Sequence, residues 1–272
     1  TLNFKIDAET LKNISTHKSR LNESAAERVW YELALFFKTP NTLPLLKIMH
    51  YCGLLDYILP NTNEAFVQYQ KVELLLRHPN EAFPNYANEF RSMSFFNKHY
   101  LVKLSVLLMA QDSISEANLA KNINKDYSLQ LSNSEKQIMR QAISGAKSLA
   151  EMYLNNEFNQ SYELAQKVHE ELLASAILFI TNSKPANTKD RTLFCNQLLK
   201  FYYDQFLPIV NKKPLLSGED IIHQFQISPS PLFGKILNNV QKEQVLGKIT
   251  TRKDAMILAE NIIQSQTNEL SR

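Results

Sequence analysis

Residues 21–37 read "LNESAAERVWYELALFF", and this stretch decides the fold. Ala26, Val29, Trp30, Leu33 and Phe37 recur at steps of three and four, so a helix would gather them on one face. The spacing predicts a helix over 25–38 with that face buried. Ser24 followed three residues later by Glu27 has the form of a reciprocal cap. The hydroxyl accepts the N–H of the third helical residue, and the carboxylate reaches back to the Ser24 N–H. Arg28 and Glu32 stand four apart on another face, the spacing of a helical ion pair.

Working outward, the same period runs through nearly every long segment. Helices are expected at about 7–19, 25–38, 42–52, 63–77, 80–91, 97–110, 115–123, 133–143, 146–155, 161–182, 189–207, 218–225, 231–246 and 252–267. Strand-like alternation is scarce. Further caps are expected from Ser132 with Glu135, Ser217 with Asp220, and Thr251 with Asp254. "SKPANTKD" (183–190) and "PIVNKKP" (208–214) read as surface connectors rich in turn residues. The expected fold is all-α, an elongated set of helical layers.

A chain of 272 residues with 44% hydrophobic side chains can build a real core, in one large helical domain or two smaller ones. Its five glycines, Gly53, Gly145, Gly218, Gly234 and Gly247, are too scattered for a glycine-rich phosphate cradle. Net charge is +3, and basic residues exceed acidic ones by a single residue in each of the spans 1–100, 101–200 and 201–272. Composition therefore supplies no basic domain to predict nucleic-acid binding; a basic stripe assembled from distant segments stays open. Cys52 and Cys195 lie in apolar surroundings and read as buried free thiols in a reducing, cytoplasmic compartment, with a disulfide as the open alternative. "LLASAILFI" (172–180) is too short to span a membrane, so no membrane partner is expected. The opening "TLNFKID" lacks an initiator Met, and a piece of a longer protein is expected.

Catalytic chemistry is hard to find. No Asp-x-Asp occurs to share metal ions. None of the six His residues forms His-Glu-x-x-His or stands at zinc spacing from a Cys. "VHEELL" (168–173) reads as a solvated helix face, and no nucleophile elbow is present. The expectation is a chain with no catalytic residues and no metal site of its own. The pairs Phe95–Phe96 and Tyr202–Tyr203 read as core packing before base stacking.

Two long phrases carry a resemblance. "LNFKIDAETLKNISTHKSRLNESAAERVWYELALFFKTPNTLPLLKIMHYCGLLDYILP" (2–60) resembles the neck of class II tRNA nucleotidyltransferases and bacterial poly(A) polymerases. Ser24, Glu27, Arg28, Glu32 and Leu33 match one motif there, and Gly53, Leu54, Leu55, Ile58, Leu59 and Pro60 another. "PLLSGEDIIHQFQISPSPLFGKILNNVQKEQVLGKITTRKDA" (214–255) is similar to the tail, and "LSNSEKQIM" (131–139) to part of the body. Each phrase alone is weak; their order and spacing together are specific.

The resemblance implies a neck at 1–60, a helical body at 61–207 and a tail at 208–272. It implies a catalytic head outside this chain, where Mg2+ would work with ATP and CTP, this chain binding no cofactor itself. It implies that Glu27 and Arg28 brace the nucleotide-reading helix of that head; the plainer reading leaves Glu27 a cap and Arg28 a partner of Glu32. It implies RNA, tRNA above all, as a partner, with Lys212, Lys213, Lys235, Lys248, Arg252 and Lys253 as candidate phosphate contacts. Addition of CCA to tRNA 3′ ends is the activity implied. A poly(A) polymerase is the alternative within the family, and a helical scaffold for protein partners the alternative outside it. Gln226 and Ser230 stand where the family often carries Gly, which would let an RNA backbone approach closely.

Overall fold

The computed structural model describes residues 5–60, 62–92, 95, 97–109, 129–182, 185–228 and 230–270. Among these the chain is helix and turn, with no strand. It divides into two compact units, one of Thr1–Phe158 with Lys167–Asn196 and one of Asn159–Gln166 with Gln197–Arg272.

The first unit is built around a helix that is buried on every side. Each residue of Leu172–Thr181 is buried, as expected for a helix apolar all round. Its hydroxyls are satisfied locally. Ser175 donates to the Glu171 carbonyl and Thr181 to the Ile177 carbonyl, both at 2.8 Å. Packed along it is Asn133–Asn155, opened by the expected reciprocal cap of Ser132 and Glu135. That helix was expected to break near Gly145 and does not. A Cβ at 145 would lie 2.2 Å from the Ser175 hydroxyl and 2.8 Å from Val168 Cγ1. Gly145 is there for close approach of two helices, not to end one.

In chain order the helices of this unit are α1 (Ala8–His17), α2 (Ala26–Lys38), α3 (Leu43–Tyr51), α4 (Phe66–Arg77), α5 (His99–Met109) and α6 (Asn133–Asn155). Then come α7 (Ser161–Val168), α8 (Leu172–Thr181) and α9 (Thr188–Phe201), of which α7 and α9 are divided between the units. The apolar face of α2 is buried as predicted, with Trp30 6%, Leu33 6% and Phe37 0% exposed. A fully buried side chain of this size contributes about 1.5–3 kcal/mol.

A buried charge pair fastens the α2–α3 turn. Lys103 of α5 donates to Glu73 of α4 at 2.8 Å and to the Thr39 carbonyl at 2.8 Å. The Glu73 carboxylate also accepts the backbone N–H of Thr42 at 2.7 Å and of Leu43 at 3.2 Å. It thus satisfies donors at the start of α3 that the helix itself leaves open. Burial raises Glu73, but the bonds from Lys103 and Thr42 outweigh it and hold the carboxyl below its ordinary value. Burial pulls Lys103 down, against the lift from Glu73. Such a pair adds little net stability but costs a great deal to half-remove.

Several expected helices are reshaped by identifiable residues. The one expected at 80–91 is two single turns, Pro79–Ala82 and Ala87–Phe90. Pro84 disfavours helical backbone at the residue before it, and Phe83 sits at φ −132°, ψ 67°. The one expected at 161–182 is interrupted at His169, whose φ is +40°. The one expected at 115–123 lies outside the described residues.

The second unit holds α10 (Gly218–Phe225), α11 (Pro231–Val245) and α12 (Arg252–Leu270). Its core is Leu216, Ile221, Ile236, Val240, Ala255 and Ala259. The two alanines, four apart on α12, let that helix approach closely. The helix expected to run to 207 widens into a π-helical turn over Tyr202–Phe206, just before Pro208. Proline lacks an N–H and its ring crowds the carbonyl four residues back, so a wider turn relieves the clash. Tyr202 stacks on Phe206 at 5.5 Å, and Tyr162 meets Phe206 at 5.8 Å. Tyr202 is therefore core, as is Phe95, which sits edge-on to Phe90 at 5.5 Å. Phe96 is not among the described residues.

Candidate nucleic-acid interface

The start of α2 differs from the sequence expectation. A 3-10 turn over Lys18–Glu23 leads into it, and Ser24 spends its N–H on the Leu21 carbonyl at 3.0 Å. Ala25 then serves as the half-in residue, its carbonyl accepting from Arg28 and Val29, with no side-chain cap. The reciprocal Ser24–Glu27 cap is thus absent, because the preceding turn consumes the Ser24 backbone and shifts the start by one residue. Glu27 stays exposed in the first turn of α2, where a carboxylate suits the helix dipole.

Arg28 is exposed and makes no ion pair with Glu32 or any other described residue. Both side chains instead line a groove of about 790 Å³ with Val29, Leu33, Leu35 and Phe36. Leu35 is 44% exposed. The helix therefore has two apolar surfaces, one in the core and one along this open groove. Trp30, at the core side, donates its indole N–H to Glu135 at 3.2 Å, and Tyr100 donates to the same oxygen at 2.7 Å. Burial raises Glu135, but these bonds and those of its cap hold it below the ordinary glutamate value.

The six candidate cations of the second unit divide into two sets. Lys248 is paired with Glu243 at 2.8 Å, and Arg252 with Asp220. Asp220 already completes the α10 cap with Ser217, and those bonds, then Arg252, hold its carboxyl low. Lys253 stands beside Asp254, whose carboxyl is lowered first by Thr251 and last by the Lys253 charge. Lys212, Lys213 and Lys235 are exposed, with no acidic partner among the described residues. Lys213 precedes Pro214 and Lys235 follows Gly234, and both of those neighbours line a cleft of about 620 Å³ in this unit. Amides from Gln166, Asn238, Gln241 and Gln244 line it too. A Cβ on Gly234 would meet nothing within 4 Å, so this wall is open.

Gln226 and Ser230 bracket the connection from α10 to α11. Gln226 adopts a left-handed conformation, φ 52°, ψ 35°, to end α10. Ser230 is extended before Pro231, as an N-cap residue should be, but its hydroxyl makes no cap bond. Sequence reasoning passed over Glu73 and Lys103. The available signal was a lone charge inside an otherwise apolar run, as in "LVKLSVLLM" (101–109). Among the described residues, no three of His, Cys, Asp and Glu come together to hold a metal ion. No helix there is long and apolar enough to cross a membrane.

Comparison with known proteins adds independent findings. Residues 3–66 match a family described as a probable RNA and SrmB-binding site of polymerase A. Residues 127–259 match one described as a putative tRNA nucleotidyltransferase domain 2. A CC-adding tRNA nucleotidyltransferase of Synechocystis sp. is 23% identical over 270 residues, covering 97% of this chain and 61% of the relative. The chain thus spans about three-fifths of that relative's length. No solved structure matches significantly.

Proposed function

We infer that the chain belongs to the family of tRNA nucleotidyltransferases and poly(A) polymerases, and that it is the portion that holds the RNA while a catalytic head extends the 3′ end. The observation that carries this reading is the pair of family matches, in order, over residues 3–66 and 127–259. The site agrees with it. Recognition of tRNA rests on duplex shape and phosphate contacts, and positively charged side chains supply such contacts. Lys212, Lys213 and Lys235 are exposed and uncommitted for that role. Lys253 is exposed beside Asp254, and Lys248 and Arg252 can join only by sharing charge with their carboxylate partners.

The α2 groove is the place for the head's nucleotide-reading helix. Arg28 presents charge there, Leu35 and Phe36 offer an apolar seat, and Glu27 is exposed one residue before Arg28 on the first turn of α2. In this reading Glu27 and Arg28 are positioning residues, and ATP, CTP and Mg2+ belong to the head. Cys52 and Cys195, both free and buried, agree with a reducing cytoplasm.

The activity proposed for the whole protein is addition of CCA to tRNA. The name of the Synechocystis relative favours a second reading, addition of the two cytidines alone. Full-length protein, given tRNA lacking CCA with CTP and ATP, should extend it by three nucleotides on the first reading and by two on the second. Extension of an unstructured RNA with ATP alone would instead mark a poly(A) polymerase. The 272-residue chain alone should incorporate no nucleotide. It should bind tRNA more tightly than a single-stranded oligonucleotide of equal length, in a salt-sensitive way. Equal affinity for both RNAs would count against the RNA-holding role, and binding of neither would favour a protein scaffold.

A further inference from the structure

Away from the α2 groove, the first unit contains a second cavity, of about 330 Å³, walled by the end of α2, the α2–α3 turn, α4 and α5. Its charged lining is Lys38, Arg77 and Lys103 against the single carboxylate of Glu73. Counting these four side chains alone, the lining carries two positive charges in excess.

Among the described residues no further carboxylate neutralises that excess. Arg77 is exposed and has no carboxylate partner among the described residues. Lys38 lies over the Tyr100 ring at 4.9 Å and likewise pairs with no carboxylate. Lys103 is 2% exposed. Its ammonium donates to Glu73 and the Thr39 carbonyl and faces the Tyr69 ring at 5.8 Å, so it adds charge to the lining from a fixed position. Glu73 cannot absorb more charge, since its oxygens already accept from Lys103, Thr42 and Leu43. The Arg77 charge is felt at Lys103, adding to the downward pull of burial. Phe90 and Phe95 form an apolar wall, and Asn41, held at φ 58°, stands at the rim.

We propose that this cavity between α2, α4 and α5 binds a phosphate monoester. Its dianion matches the surplus of Lys38, Arg77 and Lys103, and the organic part of the ester rests on Phe90 and Phe95. A guanidinium and two ammonium groups are the donors phosphate calls for, and 330 Å³ falls within the range of small-ligand sites. Free nucleotide and the 5′-terminal phosphate of an RNA present the same chemistry. The site goes beyond the RNA-holding reading, because a chain that held no RNA would still bind phosphate here.

The test is calorimetric titration of the 272-residue chain with inorganic phosphate and with AMP. A second arm measures RNA hairpins bearing either a 5′ phosphate or a 5′ hydroxyl. Saturable binding of phosphate or AMP, weakened about tenfold or more by Arg77→Ala and by Lys38→Ala but not by Lys12→Ala, supports the site. Both cavity residues are at the surface, so their variants should melt with the parent chain. A preference for the 5′-phosphorylated hairpin that disappears in Arg77→Ala identifies the RNA terminus as the source. Equal binding of the two hairpins alongside AMP binding identifies the free nucleotide. Absence of any phosphate-dependent binding, or binding unaltered in both cavity variants, would overturn the proposal. Neither result would bear on whether the tail lysines hold RNA.

Discussion

At the residue scale, Gln226 carries a cost that can be removed. A non-glycine residue in the left-handed region is disfavoured by about 1 kcal/mol, and Gln226 sits at φ 52° to end α10. Gln226→Gly should raise stability by roughly 0.5 kcal/mol, the relief being offset in part by the freer unfolded chain; thermal melting checks it. Glu73 gives the opposite case. Its folded value lies below the ordinary glutamate value of 4.5, so the stability it contributes is present above that value and lost as pH falls through the folded one. Glu73→Gln should cost about 3 kcal/mol at neutral pH by leaving Lys103 buried without its charge partner. It should also flatten the acid limb of the stability profile, read by urea unfolding between pH 3 and 7. Neither feature was fully legible. The sequence marks Gln226 as a departure from glycine, yet the sign of its φ needs the end of α10 to be placed. Glu73 and Lys103 lie thirty residues apart in the chain, and only the packing of α4 on α5 brings them together.

Elements were legible where their signals are local. The caps of α6 and α10 form as their residues require, each hydroxyl meeting the third backbone N–H while the acidic side chain returns the bond. Thr251 and Asp254 exchange the same bonds before α12. Loss of such a cap costs about 1 kcal/mol, so Ser132→Ala should lower the melting temperature of the first unit by a few degrees. Ser24 and Glu27 have the same spacing and make no cap, because the turn over Lys18–Glu23 has already taken the Ser24 N–H. Local pattern cannot register that competition. Gly145 fails for a different reason: its role is set by Ser175 and Val168, residues of other elements. Gly145→Ala would press a methyl group against both, and overpacking of a dense core costs about 1–3 kcal/mol. The melting temperature should therefore fall, although alanine is the better helix former. A rise would mean that α6 and α8 have room to separate.

For the whole molecule, the even spread of charge makes ion pairing decisive for RNA affinity. With a net charge of only +3, attraction to phosphate depends on which cations remain uncommitted. In the second unit Lys242 is paired with Glu163, Lys248 with Glu243 and Arg252 with Asp220, while Lys212, Lys213 and Lys235 have no acidic partner among the described residues. Each phosphate neutralised releases counterions and steepens the salt dependence of binding by about 0.9 in a log–log plot. Replacing Lys212, Lys213 and Lys235 together by Ala should weaken tRNA binding and reduce that slope by about 3 if all three contact phosphate. Glu243→Gln should do the reverse, because it frees Lys248 and removes a negative charge from the same surface. Its slope should steepen by about 1 while stability changes little, since exposed ion pairs contribute at most about 1 kcal/mol. Filter binding of tRNA between 50 and 200 mM salt, with the parent chain and both variants side by side, measures all of these slopes. If the triple variant keeps the parent slope, the three lysines are ordinary solvated side chains and the phosphate contacts must be sought on other cations.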